Sequence, residues 1–303
     1  MELAYIAFRQ ILMMFLLMAV GVVCAKTKLI DEQTNSKLSS LLLFIMVPAV
    51  IFMSFLRPLE AEFMTGLMVT FGLSIVSFTV KLGLTTLIYL KNKEANRSLE
   101  KFACIYSNAA FIGIPLIQGI FGSVGVFYLT AYLTIFNLLS WTHGIMVMSG
   151  QFSFSFFIKA LRTPAIIAIA LGFMTFIFQI EIPDFITEPI GMLAAINAPL
   201  AMMVAGVAMS KADIKKIITN IKIYKVCFIR LILIPLLVIG IFSFFNIPTV
   251  IAGTIIIVTA CPVGISIVLF AYQYKKDDTY ATELMISSTI LSMLTIPLLL
   301  FLI

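Results

Sequence analysis

The sequence predicts an all-α integral membrane protein of ten transmembrane helices, and three observations lead to this prediction. First, the 303-residue chain is 62% hydrophobic and only 11% charged, whereas an average soluble domain is about 25% charged. Second, the apolar residues form long runs that short charged or turn-forming segments separate. Third, the basic residues concentrate in every second one of those segments. A lipid bilayer accepts such an apolar surface, which a water-soluble fold could not bury.

Ten apolar runs approach the roughly 20 residues that a helix needs to cross about 30 Å of hydrocarbon. The first run follows Glu2 and lacks a basic n-region and a small-residue cleavage site, so we expect a retained span and no signal peptide. Two long uncharged stretches each contain two spans, divided at residues 121–125 and 246–248. The predicted spans are residues 6–25, 38–56, 64–90, 102–122, 124–149, 164–180, 189–209, 226–246, 248–274 and 281–303.

The distribution of basic residues predicts the orientation of these spans. Sixteen of the twenty Lys and Arg residues lie in the first, third, fifth, seventh and ninth connections. Cytoplasmic loops carry such an excess, so we place the odd connections in the cytoplasm and both termini outside the cell membrane. The formal charge of +6 then reflects topology, and the basic segments lack the interleaved aromatic residues of a nucleic-acid interface. We expect the lipid bilayer, and no nucleic acid, as a partner.

The ten spans divide into two sets of five. Residues 1–149 hold the first set, residues 150–163 form a cytoplasmic connector, and residues 164–303 hold the second set. An odd number of spans in each half gives the two halves opposite orientations, which is the inverted-repeat arrangement of many secondary transporters. Pro48 in span two and Pro199 in span seven take matching places in the two halves.

Spans four and nine carry matching interruptions near the middle of the membrane. The sequence has Gly113-Ile-Pro115 in span four and Pro262-Val-Gly264 in span nine. Proline lacks the N–H that closes a helical turn, and freed backbone groups survive in a membrane only inside protein or along a wet cavity. We therefore predict that helices 4 and 9 are broken and that the two breaks meet near the middle of the membrane. Their half-helix ends would direct positive dipoles at an anionic substrate, although a lone proline kink is usually a packing feature.

Four polar residues join these breaks as candidate substrate-binding residues. Lys81 lies about 15 Å from the end of span three, where a cation is costly unless it faces a cavity or partner. The alternative is a lysine that bonds backbone carbonyls for structure alone. Asn108, Thr259 and Ser266 flank the breaks and could bind a carboxylate, or could instead bond their own helices. Arg230 lies near the cytoplasmic end of span eight, and we expect it to extend to the headgroups.

The remaining reactive residues favour neither an enzyme nor a metal protein. The four cysteines are scattered without a CxxC pair, and the single histidine, His143, has no ligand cluster near it. We therefore expect free thiols, no metal site and no cofactor, with a packing role for His143. An intramembrane hydrolase would need an HExxH motif, an acid pair or a Ser-His dyad, and the sequence offers none of these. No carboxylate falls clearly in the middle of a span.

Over nearly its whole length the chain resembles the auxin efflux carrier family, which includes bacterial carriers similar to malate and malonate permeases. Five stretches carry the resemblance, and they stand in order across the ten spans. They are LLFIMVPA at 42–49, NAAFIGIP at 108–115, AAINAPL at 194–200, TACPVG at 259–264 and the terminal serine- and threonine-rich stretch at 287–298.

The resemblance implies that the broken helices 4 and 9 cross within a transport domain of spans three to five and eight to ten. This domain would move like an elevator against a scaffold of the other spans. The resemblance also implies a homodimer joined through scaffold helices. The plant carriers pair an acidic residue with a lysine one turn later in span three. Lys81 matches that lysine, but Ser77 stands in the acidic position, which argues against auxin as substrate. We predict a carrier of a small organic anion, with an anion channel or a carrier of an auxin-like aromatic carboxylate as alternatives.

Overall fold

A computed structural model describes residues 2–91, 94–151, 153–210 and 219–302 of the chain. The predicted all-α class is confirmed for these residues, whose β pairing is limited to an isolated bridge. The helices are α1 (Glu2–Lys26), α2 (Glu32–Phe55), α3 (Ala61–Ile88), α4 (Arg97–Ile105), α5 (Ala109–Ser149), α6 (Phe154–Leu161), α7 (Pro164–Phe178), α8 (Asp184–Met209), α9 (Ile221–Phe242), α10 (Thr249–Ala260), α11 (Ser266–Gln273) and α12 (Asp278–Leu300).

Fewer helices pass a test of length and hydropathy than the ten spans predicted. In the described residues, seven helices are long and apolar enough to cross a membrane, and an eighth span results if α6 and α7, which meet at a 55° bend, count as one. Two features account for the difference. The 41-residue helix α5 contains two predicted spans, and Gly122 inside it has a non-helical, left-handed conformation (φ 63°). The predicted span at 248–274 is divided into α10 and α11, each too short by itself.

The described helices contain four widened π-turns; the one at Ser140–Gly144 in α5 has no proline after it, and the other three each end two residues before a proline. These three turns are Leu42–Met46 in α2, Ala109–Gly113 in α5 and Ile229–Leu233 in α9. Pro48, Pro115 and Pro235 follow them. A proline ring clashes with the carbonyl four residues earlier and offers no N–H, so the preceding turn widens and its N–H reaches back five residues. These prolines bend a continuous helix without ending it.

Helix ends that lie in the connections have ordinary caps. The Asp31 carboxylate caps α2 by accepting the N–H of Thr34 at 2.7 Å, which holds the pKa of Asp31 below its usual value. Gly150 ends α5 in the left-handed conformation (φ 73°).

The predicted connector at 150–163 is largely helical, because α6 occupies most of it. Much of the basic seventh connection, with Lys211, Lys215 and Lys216, lies outside the described residues.

Helices α1, α2, α7 and α8 pack against one another along close contacts. A Cβ at Gly21 of α1 or at Gly206 of α8 would collide with backbone atoms of the other helix, so glycine permits this approach. Gly172 of α7 likewise leaves room for the Phe55 ring of α2. A second buried cluster joins α4, α9, α11 and the first half of α12. Large apolar side chains, including Phe44 and Leu298, remain exposed on the outer faces, as a bilayer requires.

Candidate functional site

Two interrupted helices meet at the centre of the candidate site. Helix α4 ends at Ile105 and α10 ends at Ala260, and the chain is unwound over residues 106–108 and 261–265 before α5 and α11 begin. The unwound segments form an antiparallel bridge between Ser107 and Val263. The N–H of Asn108 donates to the carbonyl of Pro262 at 2.8 Å, and the N–H of Gly264 donates to the carbonyl of Tyr106 at 3.1 Å. Each segment thus satisfies backbone groups that the other leaves free. We call this pairing the crossing.

Gly264 allows the two segments to approach this closely. A Cβ at this position would lie 2.9 Å from the carbonyl oxygen of Ser107 and 3.3 Å from the Ser107 carbonyl carbon. Both are backbone atoms of the opposite segment, so a larger residue would push the segments apart. The Val263 N–H, beside this glycine, donates to the Ser288 hydroxyl at 3.0 Å, which fixes the crossing to α12.

Four helix ends surround the crossing and give it a defined electrostatic pattern. The carboxyl ends of α4 and α10, which carry partial negative charge, end there, and the amino ends of α5 and α11, which carry partial positive charge, begin there. The Asn108 side chain caps α5 by accepting the N–H of Phe111 at 3.3 Å. No side chain caps the first turn of α11.

Lys81 is completely buried beside the crossing. Its ammonium donates to the Tyr132 hydroxyl at 2.5 Å and lies 4.3 Å from the centroid of the Phe78 ring. The Tyr132 hydroxyl is also 3.3 Å from the Ser107 hydroxyl, so a short polar chain connects Lys81 to the crossing. One turn before Lys81, the Ser77 hydroxyl is 2.9 Å from that of Thr259 in the last turn of α10. Ser77 and Lys81, both in α3, are therefore each hydrogen-bonded to a broken helix.

Arg230 is also completely buried, and the prediction that it extends to the headgroups is wrong. Its Nε and Nη2 donate to the carbonyl of Cys261 at 3.2 and 2.9 Å, and its Nη1 donates to the carbonyl of Cys104 at 3.1 Å. These carbonyls belong to the carboxyl ends of α10 and α4, whose last carbonyls have no partner within their helices. In the sequence, Arg230 lies near the cytoplasmic end of span eight. Its guanidinium nevertheless binds these two helix ends, because their partial negative charge attracts it.

The predicted site residues divide into those at the crossing and those beside it. Asn108, Pro262 and Gly264 lie in the unwound segments, and Thr259 is in the last turn before one of them. Ser266 is the first residue of α11 and is half-buried. We predicted that the chain would break at Gly113 and Pro115, but the unwound residues come earlier, at 106–108.

Gly113 and Pro115 instead belong to the first turns of α5. A Cβ at Gly113 would lie 3.3 Å from Val258 Cγ2 and 3.7 Å from Cys261 Sγ, so this glycine packs against the end of α10. Pro115 is a buried residue of the regular helix that follows the π-turn. A proline tolerates a widened helix as well as a broken one, so its presence alone did not locate the break.

Several polar groups around the site were missed by the sequence reasoning. Ser107 and Tyr132 gave no signal, because a lone serine and a lone tyrosine in apolar runs are common. Glu100 of α4 is buried and accepts a hydrogen bond from Tyr280 at 3.1 Å, although it lies within a turn and a half of the helix end. Asn197, in the AAINAPL stretch of α8, is fully buried, and neither polar atom of its side chain has a hydrogen-bond partner among the residues that the structure describes.

His143 and the cysteine thiols make no hydrogen bond to Lys81 or Arg230 among the described residues, although the backbone carbonyls of Cys104 and Cys261 accept from Arg230. The His143 Nδ1 atom is 2.9 Å from the hydroxyl of Tyr106, which donates to the carbonyl of Leu139 at 3.0 Å. All four cysteines are buried and unpaired. The described part of the chain contains no group of three His, Cys, Asp or Glu side chains that could hold a metal ion.

Comparison with known families identifies the type of protein to which this crossing belongs. The sequence model of the membrane transport protein family, the domain of the auxin efflux carriers, matches residues 6–153 and 147–300, nearly the whole chain. The chain belongs to this family. No curated protein matches the chain. As a member of the auxin efflux carrier family, the protein is a multi-pass membrane transporter of a small molecule and not an enzyme.

Proposed function

We propose that this auxin efflux carrier family member is a secondary transporter of a small organic anion, most simply a carboxylate. The observation that carries the proposal is the pair of fully buried cations, Lys81 and Arg230, beside the crossing. In the described part of the chain, their hydrogen bonds go to a phenol and to backbone carbonyls, and not to a carboxylate. Two buried positive charges without an acidic partner are unfavourable, and a bound anion would balance them.

The helix ends support the same charge preference. Arg230 occupies the negative ends of α4 and α10, which would otherwise repel an anion. The positive ends of α5 and α11 and the ammonium of Lys81 then remain to attract one. We assign Lys81, Asn108, Gly113, Pro115, Thr259, Pro262, Gly264 and Ser266 to the substrate site or its immediate support. Ser77 bonds Thr259, so the hydroxyl that replaces the plant carriers' acid has a structural partner.

We propose that the chain crosses the membrane ten times as two inverted repeats. Ten spans result when α5 is divided at Gly122 and its first part is joined to α4 across residues 106–108. In this count α10 and α11 form one span, and so do α6 and α7. The packing of the helices supports the repeat. Helix α1 packs on α8, and α7 packs on α2. Replacing each helix of the first pair by its counterpart in the other half gives the second pair. The repeats then correspond to residues 1–149 and 164–303.

An elevator-like movement is proposed for the cycle. Helices α1, α2, α7 and α8 would be the fixed scaffold, held by the glycine contacts of α1 with α8. Helices α3–α5 and α9–α12 share the crossing and would move with the bound substrate. A homodimer joined through scaffold helices, in the cell membrane with both termini outside, completes the proposal.

Flux measurements in liposomes test this function. Purified protein would be reconstituted, and uptake and counterflow of labelled carboxylates would be measured, with Na⁺ and H⁺ gradients imposed separately. We expect saturable uptake of a small carboxylate that the same carboxylate inside the vesicle accelerates. Transport of cations or neutral solutes in preference to every carboxylate would reject the anion site, and conductance far above carrier turnover would indicate a channel.

A further inference from the structure

We propose that the Tyr132 hydroxyl occupies, in the empty carrier, the position on Lys81 that a substrate carboxylate oxygen takes, and that the substrate must displace it. Tyr132 would thus lower the affinity for substrate while it stabilises the unloaded protein. The inference rests on the proposed function, because it assumes that Lys81 contacts the transported anion.

The geometry of Tyr132 places its hydroxyl directly on the ammonium. The residue is fully buried in α5, and its hydroxyl oxygen is 2.5 Å from Lys81 Nζ. The ring is fixed from two sides, by Phe78 at 4.9 Å and by Phe136 at 6.4 Å between centroids. The Lys81 ammonium lies 4.3 and 4.6 Å from the ring centroids of Phe78 and Tyr132. Aromatic faces therefore cover part of the approach to Lys81, and the phenol oxygen provides its hydrogen-bond acceptor.

The chemistry of the two acceptors decides which one Lys81 prefers. An ammonium has three donors and no acceptor, so a buried one needs an oxygen at all times. A neutral phenol oxygen can fill that need when the site is empty. The bond to the phenol is charged on the donor side only, whereas a carboxylate brings a full negative charge, and the Coulomb attraction of that ion pair in a buried site lets the carboxylate replace the phenol. The exchange favours anions, because a neutral solute brings no charge to balance the buried ammonium.

The displaced hydroxyl has a second partner nearby. Ser107 Oγ is 3.3 Å from the Tyr132 hydroxyl, and Ser107 belongs to the crossing through its bridge to Val263. When the carboxylate takes Lys81, the phenol can shift toward Ser107 without losing all of its hydrogen bonds. Occupation of the site would then alter a contact to the unwound backbone of α4 and α5.

Removing the hydroxyl tests the proposal directly. We expect Tyr132→Phe to bind malonate with a dissociation constant about tenfold lower than wild type, which corresponds to about 1.4 kcal/mol, and to melt at a lower temperature without ligand. Tyr280→Phe is the matched control: it also loses a buried hydroxyl, but that hydroxyl lies outside the crossing and donates to Glu100 at 3.1 Å. It should bind malonate with unchanged affinity. An unchanged or raised dissociation constant in Tyr132→Phe would overturn the displacement.

A double-mutant cycle with Lys81→Met isolates the contact without any ligand. We expect Tyr132→Phe to lower the melting temperature in the wild-type background and to have little further effect in the Lys81→Met background. Equal effects in both backgrounds would show that the phenol does not stabilise the ammonium and would overturn the proposal. If the wild-type protein binds neither malonate nor any other carboxylate, the proposed function and the displacement both fail, while the cycle still reports the Lys81–Tyr132 contact.

Discussion

Two buried cations, Lys81 and Arg230, have different roles in the molecule. Arg230 has its donors directed at two backbone carbonyls that belong to different broken helices. Within the described part of the chain, Lys81 makes a single side-chain hydrogen bond, to a phenol that a stronger acceptor could replace. The planar guanidinium suits the fixed, bridging contact, and the compact ammonium suits an exchangeable one. We therefore expect Arg230 to act through the position of the crossing, and Lys81 to act on the substrate in the proposed function.

Replacing Lys81 by methionine should weaken substrate binding more than folding. The variant keeps the apolar stem and loses a charge-assisted hydrogen bond worth about 1.5–3 kcal/mol, which raises the dissociation constant roughly 10- to 150-fold. Binding affinity and melting temperature would be measured on the same detergent preparation. Unchanged carboxylate affinity together with a lower melting temperature would remove Lys81 from the substrate site.

Replacing Arg230 should reverse that order of effects. Arg230→Met leaves the carbonyls of Cys104 and Cys261 without their donors, and Arg230→Lys offers an ammonium that lacks the fork needed to bridge them. With at least two charged hydrogen bonds lost, we expect the free energy of unfolding to fall by about 3 kcal/mol or more for Arg230→Met. Lys222→Met is the control, because its ion pair with Glu94 is exposed and contributes little. Equal thermal stability of the Arg230 and Lys222 variants would contradict the bridging role.

The unwound segments can exist inside a membrane because they complete each other. Backbone groups freed at residues 106–108 bond those freed at 261–265, so neither break leaves its polar groups to lipid. Sequence alone suggested that glycine and proline cause both breaks. The structure separates their effects, since Pro115 lies in regular helix and Gly264 lies at the point of closest approach.

A methyl group at Gly264 should disrupt this pairing. The added Cβ of Gly264→Ala would lie 2.9 Å from the Ser107 carbonyl oxygen, which is closer than such contacts permit, so the segments must separate. We expect carboxylate uptake to fall at least tenfold at matched expression. The control is Gly72→Ala in α3, where a Cβ meets nothing within 4 Å, and a helix prefers alanine by about 1 kcal/mol. Equal uptake by the two variants would show that the close contact is not needed for transport.

The whole molecule is organised by the alternation of apolar helices and basic connections. The exposed apolar side chains of the outer faces suit lipid, and an excess of Lys and Arg in alternate connections is typical of the cytoplasmic side. Together they predict an orientation, with residues 150–163 inside and residues 243–248 outside. The four native cysteines, all of them buried, would first be replaced, so that a labelling reagent can react only with an introduced surface cysteine.

Accessibility of single cysteines would test that orientation. On a cysteine-free background, we expect Asn246→Cys to react with a membrane-impermeant reagent added to intact cells, and Ser155→Cys to react only after the membrane is opened. Both positions are exposed in the structure, so lack of reaction reports the side of the membrane and not burial. Labelling of Ser155→Cys from outside intact cells would contradict the predicted orientation.

The sequence by itself determined the all-helical membrane class and the family, and it indicated the region of the candidate site. These follow from features that act along the chain, namely the length of apolar runs, the periodic placement of basic residues and ordered motifs such as TACPVG. Lys81, Asn108, Pro262 and Gly264 could be selected because a buried charge or a helix interruption in an apolar run is costly wherever it occurs.

Only the tertiary structure decided where the chain of α4 and α5 breaks, what Arg230 binds and which partner holds Lys81. Those outcomes depend on groups far apart in the sequence: Cys104 with Cys261 through Arg230, Ser107 with Val263, and Lys81 with Tyr132. A proline marks where a helix can be perturbed. Whether it widens, bends or breaks there depends on what satisfies the freed backbone groups, and in this protein the opposite broken helix does so.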